Sequence, residues 1–442
     1  MSSIPPPPAP ADAQDPDADD SFAVADPTQA AQSEALATSL GDFAGAWWTK
    51  IRHGESGILP VVLGLIVIVV IFQSQDSHFL TAINITNLLI QGAAFILLGM
   101  AEVFVLLLGE IDLSAGYVGA VGAAVTVALV APPQNKAWWI CILAGLGVAA
   151  AAGVLQGLLI TQLRLPSFIV TLAGLLAFQG VLIWYLDREA GPSGGGTISI
   201  PPESVLAKLV YGNLSPATGW IVMALAVIAM GVSMVFKDRR RRTSGLAVPP
   251  FGLIILKVAV LAIAGVVLVL ICNTDRGTSF AHLRGVPWVI PIVLAVLAAW
   301  TFLLDRTKFG RYIYAIGGNA EAARRAGIKV TQIRVIAFGL TSITAGMAGI
   351  VYASRLGSMS DNVDGGQLVL YAVAAAVIGG TSLFGGRGRM IHALLGGLVI
   401  ATIYNGMGLI GLSASVQYMV TALVLLGAVT VDAVARRGRS AA

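Results

Sequence analysis

What most constrains this chain is a series of apolar runs, each about as long as a membrane is thick. Inside a bilayer no water satisfies the backbone, so a crossing segment must close its own hydrogen bonds, as a helix of about 20 residues does. Such runs fall at residues 57–73, 88–108, 114–132, 138–160, 167–186 and 217–236. They recur at 251–272, 286–304, 332–354, 367–383, 389–411 and 416–433. The fold they predict is an all-α polytopic transmembrane bundle of about 12 spans, or 10 to 12 if a glycine-rich run is re-entrant. With 57% hydrophobic and 11% charged residues, the composition excludes a soluble enzyme. The 51 glycines suit membrane helices whose backbones approach closely.

Charge divides the chain into three parts. Residues 1–46 form a Pro-rich tail with eight acids (Asp12, Asp15, Asp17, Asp19, Asp20, Asp26, Glu34, Asp42) and no Lys or Arg, a composition that predicts disorder. The tail has neither the basic nor the apolar region of a cleavable signal peptide, which leaves the first span as the membrane address. Residues 47–435 carry the membrane domain, and 436–442 form a short basic tail. Lys50 and Arg52 precede the first run, Arg239–Arg242 follow the sixth, Arg311, Arg324 and Arg325 follow the eighth, and Arg436, Arg437 and Arg439 follow the last. An even count of 12 spans puts all four clusters on one side, so the positive-inside rule places both termini in the cytoplasm. The longest loop on the other face, 187–218, has no strong periodicity and reads as a flexible connector or a surface for a soluble delivery protein.

Between the eighth and ninth runs lies a polar island, GRYIYAIGGNAEAARRAG (Gly310–Gly327). Asn319 is a candidate helix cap, Glu321 falls in a first turn, Arg324 and Arg325 in a last turn, and Gly327 is a stop. Glu321 stands three and four residues before the two arginines, a spacing that brings all three onto one face. A helix of roughly seven residues is marginal in water, so a partner surface is the natural support for it. The plainer alternative is a charged loop that only sets topology.

Ionisable and amide groups within apolar runs mark candidate path residues. Asn87, Gln91 and Glu102 share one helical face, which suits either a lining for a hydroxyl-rich solute or interhelical hydrogen bonding. GEIDLSAGYVGA (Gly109–Ala120) follows, with Glu110, and with Asp112 and Ser114 as candidate caps of the third span. It reads as a structural turn or as a gate. Gly116 with Ala120, and Gly119 with Ala123, form a small-residue packing face. In IGGTSLFGGRGRMIHALLGGLVIA (Ile378–Ala401) the glycines crowd too closely for an unbroken helix, which predicts a break near the membrane surface. Paired glycines and a serine in both segments hint at an internal repeat.

Catalytic machinery is absent from the sequence. It contains no phosphate-binding G-x-x-x-x-G-K-[ST], no H-E-x-x-H and no C-x-x-C, and its four histidines are scattered. Cys141 and Cys272 read as packing residues. We therefore expect no catalytic residue, no metal, no cofactor in this chain and no nucleic-acid partner.

The segment KFGRYIYAIGGNAEAARRAGI (Lys308–Ile328) resembles the cytoplasmic coupling loop of sugar-importing ABC transporter permeases of the ribose/xylose/arabinose type. GEIDLS, GGTSLFGG, PSFIVTLAGLLAFQG (Pro166–Gly180) and YNGMGLIGLS (Tyr404–Ser413) resemble the same family, and Asn405 in the last of these joins the candidate path residues. Glu110 and the extra pair of spans around Arg239–Arg242 look most like the xylose-type members. The acidic tail lies outside the resemblance. The resemblance implies that Gly317, Gly318, Asn319, Glu321, Ala322, Arg324, Arg325 and Gly327 seat against an ATP-binding subunit that holds ATP and Mg. It further implies an external sugar-binding protein, a second permease copy, membrane lipid around the bundle, a monosaccharide cargo, xylose foremost, and residence in a bacterial inner membrane. The rival from another class is an ion-coupled carrier that uses Glu102 or Glu110 as a proton site.

Overall fold

The structure, a computed structural model, describes residues 59–191, 195–244, 248, 250–277 and 282–440. The acidic tail 1–46, Lys50, Arg52 and the first residues of the 57–73 run lie outside the described residues, as do the side chains of the basic tail. The chain begins with α1 (Leu59–Gln75), α2 (Ala82–Leu107), α3 (Ala115–Val130), α4 (Trp138–Gln162) and α5 (Ser167–Ala190). A strand β1 (Thr197–Ser199) and a short α6 (Val205–Tyr211) lead to α7 (Pro216–Thr243), α8 (Phe251–Asn273) and α9 (Val289–Arg306). Two polar helices, α10 (Lys308–Gly318) and α11 (Ala320–Arg325), precede α12 (Val330–Leu356). The chain ends with β2 (Ser358–Ser360), α13 (Gly365–Ile378), α14 (Met390–Leu409) and α15 (Ala414–Ser440).

Each of the twelve apolar runs contains a helix. Eight of these helices are long and apolar enough to cross a membrane, and four others (α1, α3, α13 and Ala414–Val424 of α15) are shorter apolar helices. The run 367–383 stops being helical at Ile378, because the Gly379–Gly380 pair ends it and Gly380 takes φ +111°. Gly388 lies in the stretch that separates it from α14. The break expected from the glycine crowding is therefore present.

At the centre stands α2, buried over 83% of its most apolar window and packed by α12, α14 and α13. Thr81 caps it by accepting a hydrogen bond from the Asn84 backbone N–H. The α3 and α12 helices close on one another where Gly119 faces Gly349. A Cβ added at Gly349 would lie 2.1 Å from the Gly119 carbonyl oxygen, so any larger residue would force the helices apart. By contrast, α7 and α8 pack mainly on each other and leave most of their apolar surface outward.

The 187–218 loop is not a simple connector. Its described part forms β1, which pairs antiparallel with β2 in the register Thr197↔Ser360, Ile198↔Met359 and Ser199↔Ser358. Ile198 and Met359 turn inward while their neighbours do not, the alternation of a strand with one covered face. Ser204 caps α6, and the Tyr211 hydroxyl donates to the Arg355 carbonyl at 2.6 Å, which fastens this loop to the end of α12. No run of alternating residues long enough to signal a strand exists here; pairing across 161 positions creates it.

Candidate coupling segment and transport path

The polar island folds as two helices. Thr307 caps α10 through its hydroxyl, which accepts from the Gly310 N–H, and Ile313 and Ile316 bury one face of it. Asn319 then caps α11, its Oδ1 accepting from the Ala322 N–H at 2.9 Å. Glu321 bonds Arg324 at 3.0 Å and Arg325 at 3.2 Å. Gly327 takes φ +83°, and its N–H closes on the Arg324 carbonyl at 3.0 Å. Ala323 faces inward, whereas Asn319, Glu321, Ala322, Arg324 and Arg325 are exposed. The segment thus presents a charged, pre-folded face to solvent.

Gly317 and Gly318 are the last two residues of α10, just ahead of the Asn319 cap. A Cβ on Gly317 would lie 1.8 Å from the Leu107 carbonyl oxygen and 2.5 Å from the Gly386 nitrogen, so this position serves close packing. The structure adds α10 to the one short helix expected in the island. Its signal was the apolar pair Ile313 and Ile316, three residues apart behind a threonine cap.

Three distant loops meet at this end of the bundle. The Gly386 N–H donates to the Leu107 carbonyl at 2.9 Å, and the Tyr314 hydroxyl donates to the Gly388 carbonyl at 2.7 Å. Burial, with the nearby Asp305 carboxylate adding to it, pushes the Tyr314 phenol up to about 12, so it stays a donor. Gly109 and Gly385 also abut, a Cβ on Gly385 falling 2.9 Å from the Gly109 nitrogen. The two glycine loops that look alike in sequence are therefore neighbours in space.

Just beyond lies a buried polar cluster. Arg334, on the second turn of α12, contacts the Glu110 carboxylate at 2.8 Å. Asp112 accepts from the Ser114 N–H at 2.9 Å and from its hydroxyl at 2.6 Å, while Gln156 donates to that hydroxyl at 2.7 Å. Ser114 is thus the residue before α3 yet makes no side-chain cap of its own; it links Asp112 to α4. Thr171 donates to the Ile111 carbonyl at 3.3 Å, which adds α5. Glu102 is fully buried beside Asp112, and neither of its oxygens completes a hydrogen bond.

The remaining candidates lie at the other end. Asn84 donates to the Asn405 side-chain oxygen at 2.9 Å and to the Phe79 carbonyl at 2.8 Å. These two asparagines border a cavity of about 280 Å³, together with Gln91, Arg355, Tyr404 and Gln417. Asn87 is exposed and does not line it. The amide that shares a face with Gln91 is Asn84, seven residues away, rather than Asn87. Gln91 and Glu102 stand about 16 Å apart along α2 with Phe95 and Leu98 packed between them, so in this conformation they do not line one continuous space.

Among the described residues, then, the molecule is a helical bundle with a folded charged appendage at one end and a polar cavity at the other. Residues 84–429 match the family described as branched-chain amino acid transport system / permease component. The chain belongs to that permease family. The permease is 35% identical to the xylose transport system permease protein of Haemophilus influenzae over 87% of this chain and 98% of the relative. It is 34% identical to the corresponding protein of Escherichia coli over 86% of this chain and 92% of the relative. Identity to the ribose import permease protein of Bacillus subtilis is 33%, over 84% and 91%. No solved structure matches. Membership and the apolar helices make the permease a multi-pass inner-membrane protein with a transport role. Neither the family nor these relatives support the ion-coupled carrier.

Proposed function

We propose that the permease is the membrane-spanning subunit of an ATP-driven importer for a monosaccharide, with xylose as the first candidate. The observation that carries this is α11: a capped six-residue helix whose Glu321, Arg324 and Arg325 face solvent while its base is packed onto the bundle. A helix so short needs support, and here a capping side chain and the α10 platform provide it in advance of any partner. Relatives named for xylose and ribose transport supply the sugar class.

In this reading twelve helices cross the membrane, both termini lie in the cytoplasm, and α11 seats on a separate ATP-binding subunit that holds ATP and Mg. A sugar-binding protein delivers cargo at the β1–β2 end, and a second permease copy completes the pathway. ATP-driven closure moves α11. Because Gly317 is locked onto Leu107 and Gly386, and because Arg334 joins Glu110, that motion reaches α2, α12 and α3 as rigid elements.

Reconstitution with a matching ATP-binding subunit and sugar-binding protein tests the proposal directly. Xylose is expected to stimulate ATP hydrolysis and to accumulate in vesicles only when all three proteins and ATP are present. Uptake that persists without the ATP-binding subunit and collapses with a protonophore would overturn it.

A further inference from the structure

The cavity at the β1–β2 end carries more than a route to the bundle. It is bordered by three amide side chains from α2 and α14 (Asn84, Gln91, Asn405), by Gln417 of α15, by Arg355 and by the ring of Tyr404. Gln91 keeps a buried side-chain oxygen with no hydrogen bond. Arg355 has no carboxylate partner among the described residues. Unmet polar groups of this kind beside an open volume are costly unless a ligand or water meets them.

Inward from the cavity the bundle is sealed. One turn further along α2, Phe95 lies edge-on to Tyr371 and Tyr404, with ring centroids 5.3 and 5.6 Å away, and Phe95 and Tyr371 are almost wholly buried. The cavity wall is therefore polar, and its one aromatic lining residue, Tyr404, packs against the buried Phe95.

We infer that this cavity is a monosaccharide site built within a single permease chain. This rests on the reading of the protein as a sugar importer and adds that the permease itself contacts the cargo before the inward path opens. Carboxamides both donate and accept, which matches hydroxyl groups that do the same. The Tyr404 ring offers an apolar face to sugar C–H groups, and Arg355 donates to ring or hydroxyl oxygens. An amino acid suits the site poorly, since none of the lining residues carries a carboxylate to receive its ammonium group. The volume of about 280 Å³ falls just below the ~300–1,000 Å³ range of ligand pockets, the scale of one sugar ring rather than an oligosaccharide.

The test uses the full-length permease in detergent without its partners. Saturation-transfer NMR is run with xylose, with leucine as competitor, on the wild type and on Gln91→Leu and Gln417→Ala, with melting temperatures checked in parallel. Saturable xylose binding that leucine does not displace, weakened about tenfold by Gln91→Leu at an unchanged melting temperature, is the expected result. Gln91→Leu suits this purpose because it removes an unpaired buried oxygen at similar volume. No saturable xylose signal from the isolated permease, while the reconstituted assembly still imports xylose, would overturn the site and leave the importer intact. Displacement by leucine would overturn the sugar assignment of the cavity. An assembly that imports no sugar at all would instead remove the reading on which the site rests.

Discussion

The guanidinium of Arg334 lies 2.8 Å from the carboxylate of Glu110, and this contact joins the helix that follows the coupling segment to the loop that ends the central helix. Glu110 is nearly buried and Arg334 about one-third exposed, so the pair is neither a solvated surface bridge nor a sealed one. Arg334 sits nine residues beyond Arg325, with only the turn at Gly327 and the first turn of α12 between them. A short stretch of chain therefore connects α11 to the buried cluster.

Removing one partner leaves the other charge in a poorly solvated place, which costs about 3 kcal/mol at the low end for a buried pair. Glu110→Gln and Arg334→Gln are each expected to lower the melting temperature in detergent and to reduce ATP-coupled uptake at least tenfold. The double variant is expected to recover part of the stability and none of the coupling. A double-mutant cycle with no interaction energy would show that the two side chains act separately.

Gly317→Ala is expected to be more damaging than its size suggests. The added methyl would meet the Leu107 carbonyl at 1.8 Å, a backbone atom that cannot swing away, and overpacking of this kind costs about 1–3 kcal/mol. Gly318→Ala is the control, since a Cβ there meets nothing within 4 Å. Equal melting temperatures for the two variants would remove the packing role assigned to Gly317.

At α11 the expectations for stability and function part company. The Glu321 bridges to Arg324 and Arg325 are exposed, and such pairs contribute within about 0.5 kcal/mol each. Glu321→Ala, or Arg324→Ala with Arg325→Ala, should leave insertion and melting unchanged while the ATP-binding subunit no longer co-purifies. Asn319→Ala should act in the same direction through loss of the cap, worth about 1 kcal/mol. Normal ATP-dependent uptake in all three would count against docking at this helix.

Glu102→Gln keeps the shape of a fully buried side chain and removes its capacity for charge. Uptake is expected to fall severalfold with the ATP-binding subunit still bound. If transport rates match the wild type, Glu102 is a packing residue.

At the opposite end, Asp275 in the loop after α8 accepts from the Gly277 and Leu283 N–H groups and from His282 and Arg284. The Gly277 N–H first, then the His282 side chain and the Leu283 N–H, hold its carboxyl down to about 2 from an ordinary 3.8. A carboxyl lowered in the folded state contributes stability above its unfolded value and loses it as pH falls through the folded one. Hydrogen exchange at the Gly277 and Leu283 amides, corrected for its intrinsic pH dependence, should thus stay slow from pH 7 to about 4 and quicken only toward about 2. Asp275→Ala should abolish the protection at every pH in that range.

Much of the coupling segment was legible because capping and charge placement are local. Asn319, Glu321, Arg324, Arg325 and Gly327 act within a few residues of one another, and the structure places them as their chemistry suggests. The cavity was half legible: Gln91 and Asn405 stand in it, but Asn84, Arg355, Tyr404 and Gln417 come from four helices that no spacing rule connects. Asn87 shows how a face judged from one helix alone can point outward.

By itself the sequence determined that the chain is a helical membrane protein, where its twelve apolar helices lie, and where its polar interruption lies. That much follows from a backbone that must satisfy itself in lipid. Only the tertiary structure decided which helices form the core. The most apolar of the eight long helices, α8, is among the most outward-facing, while the less apolar α2 is buried at the centre. Lipid tails are as apolar as leucine, so hydrophobicity does not sort helices within a membrane. Close approach at Gly119 and Gly349, the seat of Gly317 on Leu107, and the pairing of Arg334 with Glu110 did the sorting, and each joins residues that lie far apart in the chain.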